Sequence, residues 1–576
     1  MKRFHALIAL CIFLTACNLA QLPAVSANSA EATVTPTPFM PLPPTPDGAA
    51  PSLPTATSTV FASPTTAAPI SIPSTDIPTI GLWLDPALPD ALTAQLRLPP
   101  ELTLISSPDS AALQLKIGEE RLLTHWVYAL AAPFPTIEDG ISFKELHQIW
   151  KGEEASRVFG PLLMDTNTLA VFTAYWGIPA SGAYQEAPTA ELLEQAWNDR
   201  PSWALVPFEA LEPRWKVLQI DAVSPLQKDF VVADYPLSIP ISLTGEAELT
   251  EAIYALHGPA TESPLIASNR EPDKLTNVVM TGVTALVRAT AYAMEQQGVL
   301  YPAQDIGPWL RQADITHISN EVPFAEDCPF PNPVQEGMIF CSDPRYINLL
   351  ENVGTDVVEL TGDHFGDWGS AAMLYTLELY DEEEWLYYGG GKNLNQGRKP
   401  VTLEHNGNKI AFIGCNGKGG GYATASADNP GAVVCDFDWI HKQIESLSAE
   451  GYRVIATFQH FEYYAYAAQP DQIEDFEGMA EAGAVIVSGS QAHQPQTIDF
   501  QNNAFIHYGL GNLFFDQYGV SEATRQAFID RHIFYDGKYI STELLTIMFV
   551  DYARARPMTT EERQQLLEAV FAANGW

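Results

Sequence analysis

Val357-Val-Glu-Leu-Thr-Gly-Asp-His-Phe-Gly-Asp367 opens on a short β-branched run and passes directly into a turn carrying glycine, two carboxylates and an imidazole. A run of this length bounded by turn residues reads as a buried strand, with the polar cluster as the loop at its C-terminal end. The pattern recurs on both sides: Asn277-Val-Val-Met, Ile315-Thr-His-Ile, Ile410-Ala-Phe-Ile-Gly, Val454-Ile-Ala-Thr-Phe, Val485-Ile-Val-Ser-Gly and Ala504-Phe-Ile-His-Tyr. Helical segments separate these runs, and strands alternating with helices predict an α/β domain over 275–576. Ligand chemistry in open α/β sheets gathers at the C-terminal ends of strands. The residues found there are Asn320-Glu321, Asp363-His364 with Asp367, His460 with Glu462, and His493.

A single histidine at a strand end is ordinarily a structural hydrogen-bonder. Here several separate strands each deliver a candidate, and His, Asn and carboxylates arriving together suit a metal site of hydrolytic type. Tyr463, Tyr464 and Tyr466 behind His460 read either as packed aromatics or as a surface that stacks on a sugar or polymer. Gly389-Gly-Gly-Lys392 lacks the spacing of a phosphate loop, and Gly417-Lys-Gly-Gly-Gly reads as a flexible turn without a chemical role. No G-x-S-x-G nucleophile elbow is present.

These motifs, in order, also carry a family resemblance. Ser319-Asn-Glu, Leu360-Thr-Gly-Asp-His-Phe-Gly-Asp-Trp-Gly, His460-Phe-Glu-Tyr-Tyr, Gly489-Ser-Gln-Ala-His-Gln-Pro-Gln and Tyr508-Gly-Leu-Gly-Asn-Leu-Phe-Phe-Asp resemble the CapA family. That family is named for poly-γ-glutamate capsule synthesis, and the resemblance implies a calcineurin-like metallophosphoesterase α/β sandwich. It implies Asn320, His364, His460 and His493 as metal ligands, and Asp363, His364 and Glu462 as the groups acting on a bound water. The pattern departs from the family in three places. Gly282-Val283 stands where a Gly-Asp pair is usual, Asp363 replaces an Asn, and Gln491 replaces the first His of a Gly-x-His-x-His motif. Valine cannot ligate and Gln491 has lost the imidazole, so the expectation is a divalent ion of the Mn or Zn type at reduced occupancy: one metal, weaker binding, or none.

Upstream, residues 79–264 alternate short apolar runs (Thr79-Ile-Gly-Leu-Trp-Leu, Trp126-Val-Tyr-Ala-Leu-Ala, Ser202-Trp-Ala-Leu-Val-Pro-Phe) with the helical stretch Ser142-Phe-Lys-Glu-Leu-His-Gln-Ile-Trp-Lys-Gly-Glu. This predicts a second α/β domain. Its strand-to-helix phrase resembles type 2 periplasmic solute-binding proteins, which implies either a solute cleft or a scaffold that keeps the fold without a ligand. Nothing in it singles out a site residue.

The N-terminus begins with Lys2-Arg3, continues with the apolar run Ala6 to Leu14 and ends on Leu14-Thr-Ala-Cys17. That order is a secretory signal over 1–16 and resembles a lipobox with Cys17 as the lipidated residue; an ordinary signal peptide is the plainer reading. Residues 17–78, rich in Pro, Thr, Ser and Ala, read as a semi-rigid stalk. Together these place the protein on the extracytoplasmic face of the membrane, lipid-anchored. Export makes disulfides plausible for Cys328 with Cys341 and Cys415 with Cys435, the alternatives being free buried thiols or a zinc site. No CxxC spacing supports zinc.

Seventy acidic against 30 basic side chains give a formal charge of −40, which excludes a general nucleic-acid-binding role. Two readings of function stand. One is a surface protein of the CapA type with a metal-dependent hydrolase or transferase site, acting with capsule machinery on an anionic envelope polymer such as poly-γ-glutamate. The other is a lipoprotein whose site has decayed, serving as a binding or scaffold module through its solute-binding-like domain.

Overall fold

Alternation within single strands determines how the second half packs. In the strand Asn408–Asn416, Ile410 and Phe412 enter one apolar cluster while Ala411 and Ile413 enter another. The same split divides Ile455 from Val454 and Ala456, Ile486 from Val487, and Phe505 from Ala504 and Ile506. A strand sends successive side chains to opposite faces, so strands apolar on both faces must be covered on both sides.

The computed structural model of the protein describes residues 79–153, 160–419, 421 and 423–576. In it the strands Val401–His405, Asn408–Asn416, Arg453–Gln459, Ile486–Ser488, Ala504–His507 and Ile498–Gln501 form a six-stranded sheet in that spatial order. A nine-stranded sheet faces it, running Leu386–Tyr388, Val357–Glu359, Ile315–Asn320, Leu275–Thr281, Gln526–Tyr535, Lys538–Val550 and Arg554–Pro557, with the short strands Val283–Thr284 and Asn512–Phe514 off this path. Val278, Met280, Ile315 and Val357 of this sheet share one core with Ile410, Phe412, Ile455 and Phe505 of the other. Two sheets packed through their inner faces make a sandwich. Helices close the outer faces. Gly369–Glu382 contributes Met373, Leu377 and Tyr380 on one side, and Phe437–Ala449 and Pro470–Glu481 contribute Ile440, Ile444, Phe476 and Met479 on the other.

The first half is built on a mixed ten-stranded sheet whose long strand Leu122–Pro133 pairs antiparallel with Ser238–Gly245, Ala204–Pro207 and Trp215–Ile220. The helix Phe143–Trp150 begins where a reciprocal box between Ser142 and Glu145 satisfies the free N–H groups of its first turn. It buries Leu146, Ile149 and Trp150. Residues 79–576 fall within one compact unit, because the first sheet's core takes in Leu275, Ile533, Tyr535 and Ile540 from the second half. The architecture is thus an α/β unit followed by an α/β sandwich.

Cys328 is disulfide-bonded to Cys341, and Cys415 to Cys435. The signal segment 1–16, the lipidation position Cys17 and the stalk 17–78 lie outside the described residues. Among the described residues, no helix is long and apolar enough to cross a membrane.

Candidate metal centre

The strand Ile315–Asn320 lies parallel to Val357–Glu359, so their C-terminal ends open side by side. Gly362 makes the next step work. A Cβ at that position would lie 2.9 Å from Glu321 Cα, so only glycine lets this loop pass against the neighbouring strand end. Asp363 and His364 thereby arrive beside Glu321, and one ligand atom from each of the three lies within 4.8 Å of the others.

The surroundings set the charge of each group. Glu321 is fully buried, its Oε1 has no hydrogen-bond partner, and burial raises it to about 8 against the pull of the His364 charge. For His364, burial opposes the charged form, but the 2.7 Å bond from Nδ1 to Asp367 Oδ2 and the nearby carboxylates prevail and raise it to about 9. Asp367 Oδ2 also accepts from the Phe340 backbone N–H at 2.7 Å, which fixes the carboxylate that orients the ring. Asp363 Oδ1 accepts from Gln459 Nε2 at 2.8 Å, and its backbone N–H donates to Gln459 Oε1 at 2.7 Å. Burial would raise Asp363, but the Lys418 hydrogen bond and charge hold it below the usual carboxylate range.

Lys418 is the residue that reading the sequence as a flexible turn misses. Its Nζ lies 2.8 Å from Asp363 Oδ2 and 2.7 Å from Glu462 Oε1. Burial opposes its charge, and the hydrogen bonds to the two carboxylates outweigh that and push it above the ordinary lysine value. Glu462 Oε2 stands 3.9 Å from His493 Nε2, and burial leaves His493 below its ordinary value. His493 Nδ1 is held by Asn512 Oδ1 at 2.9 Å.

The expected ligand set of Asn320, His364, His460 and His493 is therefore distributed differently. His364 is in the cluster, with Glu321 and Asp363. Asn320 is buried and donates through Nδ2 to the Val322 carbonyl at 2.8 Å and the Tyr380 hydroxyl at 2.7 Å, leaving Oδ1 unpartnered. His460 is held at Nε2 by Asp475 of the helix Pro470–Glu481 at 3.0 Å, while its Nδ1 is buried without a partner. Of the candidates for work on a bound water, Asp363 and Glu462 are joined through Lys418, and His364 neighbours Asp363. Val283 is fully buried among Ala285, Val287, Val322, Phe340 and Phe515, and Gln491 donates through Nε2 to Ser319 Oγ. Exposed Phe461 and Tyr464 flank Glu462, and a cavity of about 280 Å³ lined by Asp363, Asn416, Lys418 and Thr424 adjoins the centre.

Two carboxylates and an imidazole are hard and borderline donors suited to a divalent ion, and the unpartnered buried Glu321 oxygen is an atom that a cation would satisfy. The donor set therefore fits one divalent ion.

Residues 277–517 match the family model described as bacterial capsule synthesis protein PGA_cap. The chain is 25% identical over 278 residues to the capsule biosynthesis protein CapA of Bacillus anthracis, covering 47% of this chain and 67% of that protein. It is 23% identical over 262 residues to the PGA biosynthesis protein CapA of Bacillus subtilis strain 168, covering 45% of this chain and 68% of that one. Among solved structures, a 5′-nucleotidase precursor from Thermus thermophilus aligns over 52% of this chain and 58% of its own at 11% identity and a TM-score of 0.31. An ABC-type phosphate transport receptor from Vibrio cholerae aligns over 31% of this chain and 92% of its own at 12% identity and a TM-score of 0.25.

Proposed function

We propose, from the premise that residues 277–517 belong to the CapA family of bacterial capsule synthesis proteins, that this protein works in the synthesis, anchoring or processing of an anionic envelope polymer of the poly-γ-glutamate type. It acts with the capsule machinery from the outer face of the cell membrane, held there by lipid on Cys17 and spaced from it by the stalk over 17–78. The observation that carries the reading is the convergence of Glu321, Asp363 and His364 inside the matched segment. The chain's large negative charge is a poor start for holding a polyanion, and a cation at this centre would supply the missing attraction.

A Mn²⁺ or Zn²⁺ ion held by Glu321, Asp363 and His364 would supply Lewis-acid polarisation of a carbonyl or phosphoryl oxygen. The protein's own groups do the remaining work. Asp367 ties up His364 Nδ1, which leaves Nε2 as the ring nitrogen that would face a metal once the ring, raised to about 9, gives up its proton. Glu321, raised to about 8 by burial, would have to release its proton to serve as a ligand near neutral pH. Gln459 fixes Asp363 from two sides through its amide.

Deletion of the gene should lower the polymer retained on washed cells, measured as glutamate released by acid hydrolysis. The full-length gene should restore it, and a copy carrying Asp363→Ala should not. Unchanged surface polymer in the deletion strain would overturn the reading. Cys17→Ser should shift the protein from the membrane fraction to the soluble one. The second reading, a scaffold that retains polymer without turning it over, draws support from Val283 and Gln491 and predicts full complementation by Asp363→Ala.

A further inference from the structure

Lys418 follows the strand Asn408–Asn416, and its ammonium is seated between carboxylates from two other strand ends. Nζ lies 2.8 Å from Asp363 Oδ2 and 2.7 Å from Glu462 Oε1, and His493 Nε2 stands 3.9 Å from the other Glu462 oxygen. An aspartate and a glutamate thus share a single ammonium, and a buried histidine stands beside the glutamate's other oxygen. Those are the donor types that a divalent ion takes. On the other side of Asp363 lies the Glu321 and His364 group, with the unpartnered Oε1 of buried Glu321. Asp363 therefore belongs to both halves of the centre, with Lys418 bonded on one half and the His364 ring beside Glu321 on the other.

We infer that Lys418 is a built-in cation of this centre: its ammonium takes the Asp363–Glu462 gap that a second divalent ion would otherwise enter, leaving one exchangeable ion at Glu321, Asp363 and His364. The inference rests on the reading of that group as a cation site and deepens it. The physical basis is competition. Lys418 is tethered, so its charge is present at every metal concentration, and an incoming ion must strip two charge-assisted hydrogen bonds from it. Without the ammonium, Asp363 and Glu462 face each other as like charges, an arrangement that raises their demand for a cation. Of the neighbouring positions, Val283 has no ligand atom, and Gln491 donates through Nε2 to Ser319 Oγ while its Oε1 is buried without a partner.

The test is a Mn²⁺ titration of the full chain, wild type against Lys418→Met and Lys418→Arg, by calorimetry and electron paramagnetic resonance. Lys418→Met should bind one more equivalent of Mn²⁺ than the wild type and show a spin-coupled Mn pair. Lys418→Arg, which keeps the positive charge, should keep the wild-type count. Equal stoichiometry in wild type and Lys418→Met, or two ions in the wild type, would overturn the inference. The wild type's own count reads the preceding section separately: a wild type that binds no ion refutes that section and this inference with it, whereas one ion in both wild type and Lys418→Met refutes this inference alone. If Lys418→Met fails to fold by circular dichroism, Lys418→Gln serves in its place.

Discussion

Gly282 joins the strand Leu275–Thr281 to the short strand Val283–Thr284, and the Val283 N–H donates to the Gly511 carbonyl at 3.0 Å. A Cβ at 282 would lie 1.8 Å from that same Gly511 oxygen and 2.8 Å from its carbonyl carbon. Neither backbone can yield cheaply, because Val283 also pairs with Asn512, whose side chain holds His493. Gly282→Ala therefore forces the strand and the Gly511 turn apart. Overpacking of this kind costs about 1–3 kcal/mol, and the broken hydrogen bond adds about 1 kcal/mol. The expected destabilisation is about 2–4 kcal/mol, read from urea unfolding of the full chain. Gly160→Ala is the control, since its added Cβ meets no atom within 4 Å, and it should stay within about 0.5 kcal/mol of wild type. A Gly282→Ala protein as stable as that control would refute the close-approach argument.

Further outcomes follow from burial and charge. His317 and His532 are fully buried, and burial depresses them to about 3 and about 4 from an ordinary 6.5. Below pH 6.5 the unfolded imidazole binds a proton that the folded one refuses, so each costs stability as pH falls, about 2 kcal/mol at pH 5. Glu321, raised to about 8, works in the opposite direction, so the measurement is the difference: His532→Asn should flatten the loss between pH 7 and 5 relative to wild type. Val283→Asp places a carboxyl among Ala285, Val287, Val322, Phe340 and Phe515 and should lower the melting temperature without metal, with part of the loss recovered in Mn²⁺. No recovery would mean that this position lies out of reach of the ion. Cys415→Ser with Cys435→Ser opens a loop of sequence separation 20, and chain entropy puts the cost at about 3 kcal/mol by chemical denaturation.

The parallel strands of the sandwich were legible because they are buried on both faces. Ile410-Ala-Phe-Ile-Gly and Val454-Ile-Ala-Thr-Phe read as continuous apolar runs, and the structure shows why: alternate residues feed the inner core and the helix-covered outer face. The long antiparallel pair Gln526–Tyr535 and Lys538–Val550 was not singled out, although it extends the sheet and joins its core to that of the first half. At the site, strand-end position picked out Asp363, His364 and Glu462. It could not foresee that the helix Pro470–Glu481 brings Asp475 to His460, a contact set by tertiary packing. Glu321 was visible in the Asn320-Glu321 pair but was overshadowed by its neighbour. Lys418 was hidden by its glycines. Its one advance signal was a lone cation directly behind a strand, in a chain with more than twice as many acidic as basic groups.

The most direct measurement of the central claim is anomalous diffraction at the manganese edge from crystals of the protein grown with Mn²⁺. The account predicts one peak, within coordination distance of Glu321, Asp363 and His364, with Lys418 still seated between Asp363 and Glu462. A peak between His460 and Asp475, or no peak at the Glu321 group with Mn²⁺ in excess, would contradict it.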